Sequence, residues 1–152
     1  MANNILFFHS ILRYFLLLFM LIVILQSLTG MLGKREFKKT DKIAALILMI
    51  LFDVQLLIGL FVYMVNGWIG RMGAAGAMKD HTTSFFGMEH PLVMIIALVL
   101  VHMGYSTTKK NMDSDRKLKR LFWFTIIALF LVISRIPWPG MADVGRPFLM
   151  NL

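Results

Sequence analysis

Positive charge is concentrated in two short stretches of this sequence, and each stretch lies between long apolar runs. Eleven of the sixteen Lys and Arg residues fall within residues 34–42 and 109–120. Loops on the cytoplasmic side of a membrane carry the excess of Lys and Arg, so both stretches are predicted to face the cytoplasm. The two termini and the connection 67–89 are then expected on the opposite side.

The composition is that of an integral membrane protein, with 59% hydrophobic residues, 16% charged residues and a mean hydropathy of +0.76. One crossing of a bilayer core about 30 Å thick takes roughly 20 residues of helix. The 152 residues therefore allow four crossings with short loops. We predict an all-α single domain over 1–152, a transmembrane four-helix bundle with up-down-up-down connectivity and both termini outside.

Local signals place the four crossings at about residues 5–32, 42–65, 90–108 and 119–136. The pair Thr40-Asp41 is expected to cap the second helix. Pro91 suits the first turn of the third helix, which is predicted to open at Glu89-His90, and Pro137 stops the fourth. The outer connection, which contains Gly70, Gly73, Gly76 and Gly87, is not expected to be helical throughout and can fold over the bundle as a lid.

The net charge of +8 does not indicate a nucleic-acid partner, because the two basic stretches carry seven of these eight charges. Their expected roles are to fix the orientation and to contact anionic lipid headgroups. The chain has no cysteine, which excludes disulfides, thiolate metal sites and thiolate-bound or thioether-attached haem. A cofactor would be held by His, Met, carboxylates or noncovalent contacts.

Ionisable side chains inside the predicted helices are the main functional signal, since each costs at least about 2.5–3.5 kcal/mol to insert. His9 and Arg13 lie one turn apart on the first helix, and His90 begins the third. These two helices run in the same direction, so His9 and His90 are expected at similar depth near the outer face. They are candidate axial ligands of a haem iron, or interfacial histidines bonded to water or backbone.

Three arginines, Arg13, Arg71 and Arg135, are expected at the same outer level, where guanidinium groups can pair with carboxylates such as haem propionates. For Arg13 and Arg135 the alternative is that their side chains snorkel to the headgroups. Glu89 is expected to orient the imidazole of His90 or to balance the arginines.

A second polar pair, Asp53 and His102, is predicted to meet near the membrane midplane. It is interpreted as a proton relay, as part of a quinone site, or as a packing pair. His102 is also the alternative to His90 as an iron ligand, if the first helix lies deeper than assumed. Gln55 with Gly59 predicts a close contact between helices, and His81 is expected to be solvated unless a folded lid brings it to the site.

Several short motifs resemble a known family. They are HSILRY at residues 9–14, QLLIG at 55–59, EH at 89–90 and IPWP at 136–139. Together they are similar to a group of small four-helix membrane proteins of Bacteroidota catalogued as cytochrome b-like. The resemblance implies a b-type haem or an association with respiratory membrane complexes, with His9 and His90 as the matching histidines. From the distribution of Lys and Arg, both termini are expected to be periplasmic if the membrane is a bacterial inner membrane.

We therefore expect a membrane-embedded electron-transfer protein or redox subunit carrying one noncovalent haem b near the periplasmic face. The alternatives are a haem-free accessory subunit of a larger membrane complex, and a quinone or lipid-headgroup site formed by Arg13, His90 and Arg135. The expected partners are membrane lipids and other membrane subunits or a quinone, and a homo-oligomer is compatible with the sequence. No motif for hydrolytic or nucleotide-dependent turnover is present, so the status as an enzyme stays open.

Overall fold

A computed structural model describes residues 2–75 and 80–148 of the chain. The elements are α1 (Ala2–Leu32), α2 (Lys39–Val65), α3 (Trp68–Ala75), α4 (His81–Ser84), a π-helical turn (Phe85–Glu89), α5 (His90–Thr107) and α6 (Ser114–Ser134). No strand occurs in these two ranges, and the prediction of an all-α fold is confirmed. Gly76 of the glycine-rich connection lies outside the described residues.

The long helices pack side by side around one apolar core. α1 contacts α2 and α6, and α5 contacts the same two helices. Small side chains at Ala45, Ala97 and Ala128 are buried where the helices approach, as is common between membrane helices. Large apolar side chains such as Leu57 and Phe130 stay exposed on the outer surface.

Three helical segments of the described chain are long and apolar enough to cross a membrane: Asn4–Leu32, Lys39–Val65 and His81–Thr107. These are the first three predicted crossings. α6 is not among them, because its first two turns carry four Lys and Arg residues. Residues 121–134 are apolar apart from Thr125 and Ser134.

The loop between α1 and α2 is held by an ion pair whose carboxylate is buried. Both terminal nitrogens of Arg35 lie 2.7 Å from the two carboxylate oxygens of Asp41, whose side chain is 1% exposed. Asp41 also accepts the backbone N–H of Lys38 at 2.8 Å. Asp41 therefore caps α2 from inside its first turn, and the helix begins at Lys39 rather than at the predicted residue 42. The hydrogen bond to Asp41 raises the pKa of Arg35 above its ordinary value.

The third of these helical segments begins at His81, nine residues before the expected start at His90. Asp80 caps α4 by accepting the hydroxyl of Thr83 at 2.7 Å and its backbone N–H at 3.0 Å, and these hydrogen bonds lower the pKa of Asp80. The helix then continues through the π-helical turn into α5. Pro91 lacks an N–H and its ring conflicts with the carbonyl four residues earlier, and the wider π turn accommodates it. That carbonyl, on Gly87, accepts the hydroxyl of Tyr63 on α2 at 2.9 Å instead.

The fourth helix also begins early, at Ser114 rather than 119, because Asp113 caps it by accepting the backbone N–H of Arg116 at 2.8 Å. It ends at Ser134. The segment 137–148 then folds back over this end of the bundle, where the backbone N–H of Arg146 donates to the carbonyl of Pro137 at 3.1 Å. Val144 in this segment is 1% exposed, so the segment is packed on the helices.

Replacing Arg35 with alanine tests the buried ion pair. The Arg35→Ala variant leaves the buried Asp41 carboxylate without its partner, and we expect a loss of about 3 kcal/mol in the free energy of unfolding. Arg116→Ala is the matched control, because its 3.4 Å pair with Asp113 is exposed and should contribute about 1 kcal/mol or less. Reversible unfolding in mixed detergent micelles measures both. Equal losses in the two variants would contradict this account of the loop.

Candidate functional site

A cavity of about 200 Å³ opens between α1, α2 and α5, at the end of the bundle covered by segment 137–148. We call this end the histidine end. The cavity walls are mainly apolar, which is typical of small-molecule sites. The polar and charged side chains that line it are His9, Ser10, Arg13, Gln55, Tyr63, Asn66, His90 and Arg146.

His9 of α1 and His90 of α5 lie next to each other in this cavity. Their ring centres are 6.4 Å apart and the ring planes make an angle of 67°. His9 can approach α2 closely because Gly59 has no side chain, and a Cβ built there would lie 3.1 Å from His9 Cε1. The two histidines expected at one depth therefore lie together. α1 carries His9, α5 carries His90, and α2 makes room for the ring of His9 at Gly59.

The ring of His90 is held by the end of α6. Its Nδ1 lies 2.7 Å from the backbone carbonyl oxygen of Arg135. This carbonyl is available because the last carbonyls of a helix have no partner within the helix. A carbonyl oxygen only accepts, so Nδ1 carries the proton and the Nε2 of a neutral ring keeps its lone pair. The free nitrogen of His90 is thus a ligand or an acceptor.

The ring of His9 is held by Gln55 on α2. The Gln55 amide donates to the backbone carbonyl of His9 at 3.0 Å and lies 3.4 Å from His9 Nε2. Among the described residues, the buried Nδ1 of His9 has no hydrogen-bond partner. An unpartnered buried nitrogen costs free energy, so this atom is a candidate for contact with a bound molecule.

Arg13 joins the cavity to the returning segment. Its Nη2 donates to the hydroxyl of Tyr14 at 3.0 Å and to the backbone carbonyl of Phe148 at 3.1 Å. The Tyr14 hydroxyl donates to the same carbonyl at 2.6 Å. Within the described chain, the buried Nε of Arg13 has no partner. Arg13 therefore keeps one N–H for a ligand while it fixes the segment that covers the cavity.

Three of the six predicted site residues do not line the cavity. The guanidinium of Arg135 lies 3.6 Å from a carboxylate oxygen of Glu89, and Glu89 accepts the hydroxyl of Ser84 at 2.8 Å. Glu89 therefore compensates the charge of Arg135. The ring of His90 is oriented by the backbone carbonyl of Arg135 and not by its guanidinium group. Arg71 stacks on Trp68 with its guanidinium carbon 4.8 Å from the ring centre.

The structure also places residues at the cavity that the sequence interpretation missed. Arg146 lines it, with its guanidinium carbon 5.1 Å from the ring centre of Phe86. In the sequence, Arg146 follows the prolines that end the last helix. This position does not indicate that the segment after the helix folds back over the cavity. Gln55 was interpreted as a packing residue, although an amide one turn before a glycine on a membrane helix was a usable signal.

Asp53 and His102 meet, as predicted, but they lie on the outer surface of the bundle and not in the cavity. His102 Nε2 lies 2.8 Å from Asp53 Oδ1, and the two side chains are 41% and 42% exposed. Neither residue lines the cavity, so the geometry does not support His102 as a second ligand there. His81 is also outside the cavity and lies 3.8 Å from the carboxylate of Asp143.

The cavity chemistry is that of two imidazoles, two amides, two hydroxyls and two guanidinium groups within mainly apolar walls. In residues 2–75 and 80–148, no three His, Asp or Glu side chains are grouped as metal ligands. Two imidazoles suffice for a planar metal cofactor that supplies its other four ligands. Alternatively, the unpartnered nitrogen of His9 can contact a polar atom of an organic ring. No protein-family model, curated protein or solved structure matches this chain.

A Gly59→Ala substitution tests the close approach of His9 to α2. The added Cβ meets His9 Cε1 at 3.1 Å, so we expect a loss of roughly 1–3 kcal/mol in stability. Gly104→Ala is the control, since its Cβ meets Phe124 at an ordinary 3.4 Å and should stabilise its helix by up to about 1 kcal/mol. Thermal unfolding in detergent compares them. A Gly59→Ala variant as stable as Gly104→Ala would contradict the described packing.

Proposed function

We propose that this chain is a membrane-embedded electron-transfer protein that holds one b-type haem at the histidine end. His9 and His90 would hold the haem iron. Arg13 and Arg146, which line the same cavity, would pair with the haem carboxylates. When bound, haem supplies an iron that alternates between the ferric and ferrous states and so carries one electron.

The observation that carries the proposal is the separation of the two imidazoles. Ligating imidazole nitrogens lie about 2 Å from a metal, so two rings on opposite sides of one ion have their centres roughly 6 Å apart. The ring centres of His9 and His90 are 6.4 Å apart. The two residues come from α1 and α5. Chain connectivity alone does not bring residues of these two helices so close together.

The hydrogen bonds of the rings support the same role. Histidines that bind metals usually donate their other ring N–H to a carbonyl or carboxylate, which fixes the tautomer and raises the basicity of the ligand. His90 makes such a bond with the carbonyl of Arg135 at 2.7 Å. On the facing ring, the buried Nδ1 of His9 has no partner within the described residues and would gain one from a ligand or its solvation.

The proposed topology has four crossings with the basic loops in the cytoplasm and both termini periplasmic, in a bacterial inner membrane. The apolar part of α6, residues 121–134, spans roughly 20 Å at 1.5 Å per residue. Lys119 and Arg120 just before it can reach the headgroups along their apolar stems. The histidine end then lies near the periplasmic face, where an electron partner in that compartment has a short path to the cofactor.

A quinone is the second candidate ligand, and the cavity volume favours it. The cavity volume of about 200 Å³ is below the range of roughly 300–1,000 Å³ typical of larger ligands, and it suits one ring. The amide of Gln55 and the N–H groups of Arg13 are donors for quinone carbonyl oxygens. Leu60 and Ile95, which are exposed and also line the cavity, offer an apolar exit for the tail.

An absorption spectrum of protein purified from a haem-replete host tests the first candidate. We expect a Soret band that shifts on reduction with dithionite, with one haem per chain. His9→Ala and His90→Ala should each remove it or weaken it strongly, because each deletes one axial ligand. His81→Ala is the control, since His81 lies outside the cavity, and it should leave the spectrum unchanged.

Folded wild-type protein without a Soret band would contradict the haem proposal. Extraction of a quinone from that same colourless protein would support the second candidate. A spectrum that persists in both histidine variants would contradict the assignment of His9 and His90, even with haem present.

Single-cysteine labelling tests the proposed topology in a chain that has no cysteine of its own. Asn111→Cys lies in the second basic loop, and Ala142→Cys lies in the segment over the histidine end; both positions are exposed. A membrane-impermeant maleimide added to spheroplasts should label Ala142→Cys at once and Asn111→Cys only after permeabilisation. The reverse pattern would contradict the orientation, and labelling of both in sealed spheroplasts would contradict the proposal that α6 crosses the membrane between the two positions.

A further inference from the structure

The pair formed by Asp53 and His102 lies on the outer surface of the bundle, about halfway along α2. Asp53 is roughly 21 Å from the start of α2 and 18 Å from its end at the helical rise of 1.5 Å per residue. Its carboxylate lies 2.8 Å from His102 Nε2, and about two fifths of each side chain is exposed. If α2 crosses the bilayer, this pair lies at the level of the hydrocarbon core.

The surface around this pair is apolar. On α2, Val54, Leu57 and Phe61 are exposed, and on α5, Val99 and Met103 are exposed. We call these five residues, with Asp53 and His102, the α2/α5 face. Ionisable groups in membrane helices normally face the protein interior or another polar group, because hydrocarbon solvates them poorly. A half-exposed pair at this depth therefore indicates that another protein surface covers it.

The pair is complementary to a second copy of itself. Among the described residues, Asp53 Oδ2 and His102 Nδ1 make no further hydrogen bond. With the imidazole protonated, Nδ1 is a donor and Oδ2 is an acceptor. In an isologous dimer the same patch of both subunits meets across a two-fold axis. Each copy then offers its donor to the acceptor of the other.

We propose that the α2/α5 face is the interface of a homodimer within the membrane, with the Asp53–His102 pairs of two copies forming a closed network of four side chains at the two-fold axis. The apolar residues of the face supply the packing around this network. The partner is a second copy of this chain, because its own donor and acceptor satisfy both free atoms of the pair. The proposal does not depend on haem, since neither polar residue lines the cavity.

Cysteine crosslinking in native membranes tests the proposed face. Leu57→Cys and Val99→Cys place a thiol on the α2/α5 face, and Phe130→Cys places one on α6. Leu57 and Phe130 are equally exposed, at 67% each, so accessibility is matched. We expect an oxidant to produce a covalent dimer of twice the 17.4 kDa chain mass from at least one of the two face variants, several-fold more than from Phe130→Cys.

Conservative substitutions test the polar network itself. Asp53→Asn and His102→Gln should each weaken dimerisation by about 3- to 20-fold, given the usual contribution of hydrogen bonds between membrane helices. Ser134→Ala on α6, whose hydroxyl bonds only to its own helix at Leu131, should leave it unchanged. Photobleaching-step counts at several protein densities in lipid vesicles measure the change, and circular dichroism checks folding.

The proposal is overturned if the wild-type chain shows single-step photobleaching at all densities, or if Phe130→Cys crosslinks as well as both face variants. It is also overturned if the face thiols crosslink to a protein of another mass, which would identify a different partner. If the Asp53→Asn variant does not fold, the crosslinking yields of Leu57→Cys and Val99→Cys test the interface instead.

Discussion

The cost of an unpartnered polar group in an apolar bundle accounts for how the helices of this protein are joined. Three polar side chains that point inward at the histidine end find their partners beyond their own helix. Gln55 of α2 donates to the carbonyl of His9 on α1, and Tyr63 of α2 donates to the carbonyl of Gly87 before α5. His90 of α5 bonds to the carbonyl of Arg135 after α6. Because apolar packing alone does not fix how one membrane helix is rotated against another, these few hydrogen bonds set the register at the histidine end.

All three acceptors in these bonds are backbone carbonyls, and two of them are free for identifiable reasons. The carbonyl of Gly87 cannot accept the usual α-helical hydrogen bond because Pro91 lacks an N–H, and the carbonyl of Arg135 lies beyond the last turn of α6. Proline and a helix end therefore provide acceptors within an apolar environment. One acceptor holds the π-helical turn against α2, and the other orients an imidazole toward His9. The interruptions in regular helix are thus what build the cavity.

Much of the architecture could be predicted from the sequence, because hydropathy and the two basic stretches depend only on local composition. The side-by-side position of His9 and His90 followed from equal depth on two helices of the same direction. The direction in which Asp53 and His102 point did not follow, because α2 is apolar on all faces and its rotation is set by neighbours. The role of Arg146 depends on the return of segment 137–148 through nonlocal contacts. Pro91 was interpreted as a helix start. The Gly87 carbonyl that Pro91 cannot bond accepts the hydroxyl of Tyr63 instead, and this contact is also nonlocal.

The central claim is that two imidazoles, His9 and His90, hold one iron porphyrin. The most direct measurement is pulsed electron paramagnetic resonance of the ferric protein with ¹⁵N-labelled histidine. The account predicts a low-spin ferric signal with hyperfine coupling to nitrogens of two imidazoles, and the loss of one coupling in each single-histidine variant that still retains iron. A high-spin signal, coupling to one imidazole only, or protein that binds no iron porphyrin would contradict it.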